Sequence, residues 1–141
     1  MERILVSACL LGLRCRYDGK SKPCDMEKLK DKYEFVPFCP EIYGGLPTPR
    51  DGAEIKEGRV MTKEGRDVTK EYVRGAEEAL SLCKYLNIKK ALLKEKSPSC
   101  GTGWVYDGTF TKKLVPGYGV TAKLLSDNGI KVYGESDIKT L

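Results

Sequence analysis

Short apolar runs recur along this chain, and each stops at turn-forming residues. Residues 3 to 9 carry Ile4-Leu5-Val6 and run into Leu10-Leu11-Gly12; Glu34 to Cys39 carries Phe35-Val36-Pro37-Phe38 and stops at Pro40. Lys89 to Lys96 carries Ala91-Leu92-Leu93 and ends at the corner Ser97-Pro98-Ser99-Cys100-Gly101, and Ile130 to Tyr133 forms a last run. Runs this short, aliphatic or β-branched and bounded by Gly, Pro and Ser, predict buried strands. The period changes after Asp67-Val68-Thr69. Val73, Ala76, Ala79, Leu80, Cys83 and Leu86 recur at helical spacing and predict a helix to about Leu86. A second helix begins at Gly119-Val120-Thr121 and stops near Asn128-Gly129, and Asp25 to Lys30 reads as a short one with Asp25 or Cys24 near its start.

The intervening segments are turn-rich. Ala53 to Arg66 alternates in polarity around Gly58 and Gly65 and predicts a small hairpin; Trp104 to Phe110 predicts another around Asp107-Gly108. Gly44-Gly45-Leu46-Pro47-Thr48-Pro49-Arg50 and Arg14 to Lys20 are irregular loops of the kind that carry function. Strands alternating with helices predict an α/β fold, a single domain over residues 1–141 with a mostly parallel, Rossmann-like sheet. Ligands of such sheets bind beyond the carboxyl ends of the strands, at the switch point of strand order. Cys9, Cys39 and Cys100 all fall at such ends.

Composition narrows the chemistry. The 141 residues are 40% hydrophobic and 32% charged, an ordinary balance for one globular domain, and no apolar run approaches the length of a membrane span. Met1-Glu2-Arg3 leads directly into a strand pattern and does not resemble a signal peptide, so the expected location is cytoplasmic. The net charge of +5 is spread along the chain, which permits contact with nucleic acid without indicating it. There are six cysteines and no histidine. In a reducing compartment such thiols are more often metal-binding or catalytic than disulfide-bonded. The missing histidine excludes His-based zinc hydrolase sites, Cys-His proteases and Ser-His-Asp triads.

Cys83 falls on the apolar face of a helix and reads as core, and Cys24 as incidental. Cys15, six residues after Cys9, is open between a fourth ligand and a resolving thiol. No Cys-x-x-Cys pair occurs, which removes support for zinc ribbons and thioredoxin-like sites. A structural zinc held by four thiolates remains an alternative. Three cysteines around an iron–sulfur cluster would leave one iron open to substrate as a Lewis acid. Glu41, two residues beyond Cys39, is the leading general acid/base, with Ser97 and Ser99 as hydroxyls beside the metal or as turn caps. Arg16, Tyr17, Asp18 and Arg50 are candidates either for structural ion pairs or for binding an anionic or heterocyclic substrate.

A longer pattern runs through the same residues. Val6-Ser7-Ala8-Cys9-Leu10-Leu11-Gly12 with Arg16-Tyr17-Asp18-Gly19, Cys39-Pro40-Glu41 with Gly44 to Arg50, Asp67-Val68-Thr69, Ser97 to Gly101, Tyr106-Asp107-Gly108-Thr109-Phe110 and Gly117 to Thr121 resemble, in order, the thiouracil desulfidase family. The resemblance implies a [4Fe-4S] cluster held by Cys9, Cys39 and Cys100 with the fourth iron unligated. It implies a thiolated uracil or thiouridine as substrate, and tRNA for relatives with an additional domain. It also implies Glu41 and the serines of Ser97-Pro98-Ser99 near the reacting base. The expected chemistry is non-redox: the thiocarbonyl sulfur binds the open iron, water activated by Glu41 adds to the carbon, and sulfur leaves as sulfide onto the cluster. Two alternatives stand beside it, a protein that carries sulfur onward and a zinc-binding module without catalysis.

Overall fold

The computed structural model describes residues 1–141. Four parallel strands form its central sheet: β1 (Glu2–Ser7), β2 (Tyr33–Phe38), β5 (Lys90–Leu93) and β8 (Lys131–Gly134). They lie in the order β2-β1-β5-β8. Strand β1 pairs along its whole length with β2, from Glu2 opposite Tyr33 to Ser7 opposite Phe38, and on its other edge sets Leu5 and Val6 opposite Ala91 and Leu92. The chain leaves β1 toward one side for β2 and arrives on the other side for β5, so the switch point lies at β1, where Cys9 emerges.

Alternation along the strands sorts the core into two faces. Leu5, Ala91 and Leu93 pack with Ala79 and Cys83 of α2 (Thr69–Leu86) and with Ala122 and Leu125 of α3 (Val120–Asp127). Ile4, Val6 and Leu92 point the opposite way, onto Leu10, Met26, Leu29 and Leu141. One face is therefore covered by helices and the other by irregular chain. Two antiparallel ribbons stand outside the sheet: β3 (Ala53–Lys56) with β4 (Arg59–Thr62), and β6 (Thr102–Tyr106) with β7 (Leu114–Tyr118).

The α/β fold with a parallel sheet is as expected, with local differences. The buried face of α2 runs through Tyr72, Gly75, Ala76, Ala79 and Cys83, and Val73 is 41% exposed. Asn87 in the left-handed conformation stops this helix, returning amide hydrogens to the last turn. Residues 25 to 30 make only a 3-10 turn, Glu27–Leu29, because the Asp25 carboxylate accepts the Glu27 amide at 3.1 Å and favours a local turn over a helix. The second hairpin is displaced: Tyr106 ends β6, and Asp107 to Lys113 form a long loop before β7 instead of a tight turn. Strand β5 stops at Leu93, so Cys100 lies on a turn beyond it.

Candidate active site

The segment after each strand fixes the position of its cysteine. Cys9 sits in the 3-10 turn Ala8–Leu11 directly after β1. Cys39 is the residue between β2 and α1 (Pro40–Tyr43); proline at the first helical position has no amide to lose and pre-sets the helical angle, so the chain turns at once. Cys100 is fixed by Ser97, whose Oγ accepts the amides of Ser99 at 3.0 Å and of Cys100 at 3.1 Å. All three line one cavity of about 440 Å³ at the carboxyl ends of the strands. Cys15 lines it too, with the Cys39 thiol donating to its carbonyl oxygen at 3.8 Å.

This is a poor environment for free thiolates. Burial pushes the Cys100 thiol up to about 12, Glu41 and Cys39 add to that, and the hydroxyls of Ser7 and Ser99 pull the other way. Cys39 is raised first by its hydrogen bond with Cys15 and then by burial. For Cys15 the bond from Cys39 favours the thiolate, but the bond with Cys9, burial and the charge of Cys9 outweigh it.

Glu41 stands in the first turn of α1 and is held by a buried guanidinium. Arg50 donates to Glu41 Oε2 through Nε at 3.1 Å and Nη2 at 2.6 Å. Its remaining capacity goes to the carbonyls of Cys15 and Pro47 and to Thr48 Oγ1. The side chains are only 5% and 14% exposed, so this pair is a fixed strut that ties the loop after α1 to the Cys15 loop. Arg50, a candidate for ion pairing or substrate binding, lines the cavity and has each guanidinium nitrogen engaged within the protein. Tyr72 of α2 reaches the same spot; burial and then the charge of Glu41 keep its phenol protonated well above the usual range.

The other expected residues divide. Arg16, Tyr17 and Ser97 line the cavity, with Arg16 stacked 5.7 Å from the Tyr17 ring centre. Asp18 does not; its Oδ1 accepts the Lys20 amide at 3.0 Å and shapes the loop. Ser99 is likewise outside the lining. It is fully buried and its hydroxyl meets Thr121 Oγ1 of α3 at 2.9 Å, which anchors the Cys100 turn to the helix. Tyr72 and Lys94 also face the cavity without having been singled out in the sequence, and Tyr106 and Phe110, which entered only as part of a motif, face it too. Tyr72 gave a signal, being four residues before Ala76 on the buried face. Lys94 and Phe110 are brought in by connecting segments and Tyr106 by the end of β6, where periodicity says nothing about the cavity.

Comparison with known proteins gives a family and a shared fold. The model of the 2-thiouracil desulfurase family matches residues 4–137. Uncharacterized protein YbbK of Bacillus subtilis (strain 168) is 42% identical over 149 residues, covering 98% of this chain and 99% of that protein. The solved structure of the [4Fe-4S]-dependent thiouracil desulfidase TudS is 48% identical and superposes with a TM-score of 0.96, over all of this chain and 95% of that one. A match that runs from β1 to the last turn, and takes in every cysteine of the cavity, places this chain in the 2-thiouracil desulfurase family.

Proposed function

We propose that residues 1–141 act as one [4Fe-4S]-dependent desulfidase that replaces the sulfur of a thiolated uracil, free or as its nucleoside, by oxygen from water. The observation that carries this reading is the meeting of Cys9, Cys39 and Cys100 with Glu41 around one cavity at the ends of the strands. The donor set fits the cluster. Four thiols face the cavity and the chain has no histidine, so the donors on offer are soft sulfur ligands. Cys9, Cys39 and Cys100 would hold the cluster. When bound, it supplies a soft Lewis-acid iron that favours sulfur over oxygen and polarises the carbon attached to it.

The protein's own groups do the rest. Arg50 occupies Glu41 Oε2, leaving Oε1 to accept a proton from a water aimed at the carbon that bears sulfur. Ser97 Oγ accepts two amides, so its own hydrogen is free to donate to an oxygen or nitrogen of the ring. Tyr17, 46% exposed, offers a face to a flat ring at the mouth. The balance is C=S plus water giving C=O plus hydrogen sulfide, with no change in electron count. The cavity is in the size class of small-molecule sites, and the positive charge is dispersed, so the substrate is a small molecule in preference to tRNA.

The test is anaerobic reconstitution followed by iron and sulfide analysis and incubation with 2-thiouracil. About four iron and four sulfide per chain, with thiouracil converted to uracil, is the expected result. Zinc in place of iron, or a full cluster without conversion, overturns it. Cys9→Ser, Cys39→Ser and Cys100→Ser should each lose iron, and Cys15→Ser should keep it.

A further inference from the structure

Among the motifs of this chain, Tyr106-Asp107-Gly108-Thr109-Phe110 is not used by the desulfuration chemistry, although Tyr106 and Phe110 both line the cavity. Phe110 has φ of +58°, the left-handed region that a bulky aromatic residue rarely adopts. Such an arrangement persists only where its surroundings impose it. Here the constraint is visible. Glu54 of β3, itself at the cavity wall, receives on one carboxylate oxygen the amides of Gly108 at 3.0 Å and Phe110 at 3.1 Å. Gly108 lies so close to β3 that an added Cβ would sit 2.8 Å from Lys56 Cβ and 2.9 Å from the Ile55 oxygen. Asp107 holds the turn from the other side through the Thr109 amide at 2.9 Å and hydroxyl at 2.6 Å. The β6–β7 loop is thus clasped to the β3–β4 ribbon, and the product of the clasp is one aromatic ring set in the cavity wall.

Resting on the desulfidase reading, we infer that Phe110 is a specificity-determining residue that stacks on the pyrimidine ring, and that Glu54 is the positioning residue that holds it there. Tyr17 is a further aromatic ring in the lining, and a substrate stacked on an aromatic face is selected for planarity, not for its hydrogen-bonding pattern.

The experiment uses the cluster-loaded protein. KM and kcat are measured for 2-thiouracil, with inhibition constants for planar uracil and for 5,6-dihydrouracil, whose ring is puckered. Wild type should bind uracil more tightly than dihydrouracil. Phe110→Ala and Phe110→Leu should raise KM and the uracil inhibition constant about tenfold, bring the two inhibitors toward equality and leave kcat within about twofold; Phe110→Trp should restore the preference. Glu54→Gln, which keeps an acceptor oxygen, should resemble wild type. Glu54→Ala should act like Phe110→Ala and add nothing in its background, the non-additivity of residues acting through one contact. Iron content and thermal unfolding identify any variant that fails to fold, and Phe110→Leu decides if Phe110→Ala does. A wild type that does not convert thiouracil removes the desulfidase reading and this inference with it. An active wild type whose Phe110 variants keep KM and the inhibitor preference overturns this inference alone.

Discussion

Arg50 shows how a single side chain decides what its neighbours can do. It sits among two carbonyls, a hydroxyl and a carboxylate, and it consumes only one oxygen of Glu41. Arg50→Ala leaves a carboxylate and the Cys15 carbonyl buried without their partner, a change of the class that costs about 3–5 kcal/mol. Its thermal midpoint should fall and kcat should drop with it. Arg50→Lys keeps the charge but not the planar fork, so it should recover stability in part and kcat less. Measuring both separates the strut from the charge. The two serines of the Cys100 turn give a second contrast. Ser99→Ala strands the Thr121 hydroxyl and should cost about 1–3 kcal/mol in denaturant unfolding while leaving kcat near wild type, and Thr121→Val in that background should recover part of it. Ser97→Ala should lower kcat as well, since it removes the hydroxyl that lines the cavity.

The element that sets Glu41 in place is α1, and its seat is made by two glycines. A Cβ on Gly75 of α2 would collide with the Pro40 carbonyl oxygen, and one on Gly44 with that of Glu71. The short helix therefore lies directly on the backbone of α2, with Tyr72 of the same face beside Glu41. Gly75→Ala gains helix propensity but must lift α1 away. The overpacking should dominate, at about 1–3 kcal/mol net, and because Glu41 rides on α1, kcat should fall more than KM changes. A kcat equal to wild type in a folded Gly75→Ala protein would mean that α1 can shift without moving its carboxylate. Such a contact leaves no trace in hydrophobic periodicity; Gly75 reads only as a weak point in a helix.

At the scale of the whole molecule, the helix-covered face of the sheet contains a thiol that has no part in the cavity. Cys83 is 1% exposed, and burial raises it to about 11 from an ordinary 9.0. The folded chain holds this proton where the unfolded chain has released it, so ionisation favours unfolding. Stability from this group is complete below about pH 9 and declines as pH rises toward 11. Urea unfolding under reducing conditions should show that decline in wild type and a shallower one in Cys83→Ala, even though the alanine protein starts lower for the cavity it leaves. No helix is long and apolar enough to cross a membrane.

The sequence by itself determined the strands of the central sheet, because a run such as Ala91–Leu93 is buried on both sides and must be apolar throughout. It also determined that three cysteines would emerge at the sheet's carboxyl edge, since position after a strand is a local property. The motifs around those cysteines were long enough to indicate the family. What only the tertiary structure decided is which way each polar group faces. Ser97 and Ser99 are two residues apart, yet one lines the cavity and the other points into α3. Arg50 in a loop is open between an ion pair and a substrate contact, and the pairing is visible only once the Cys15 carbonyl and Glu41 arrive beside it. Tyr72, Glu54 and Phe110 come to the site from a helix, a ribbon and a loop far apart in the chain. Hydrogen-bond capacity is spent among neighbours in space, and the order of residues along the chain does not say who those neighbours are.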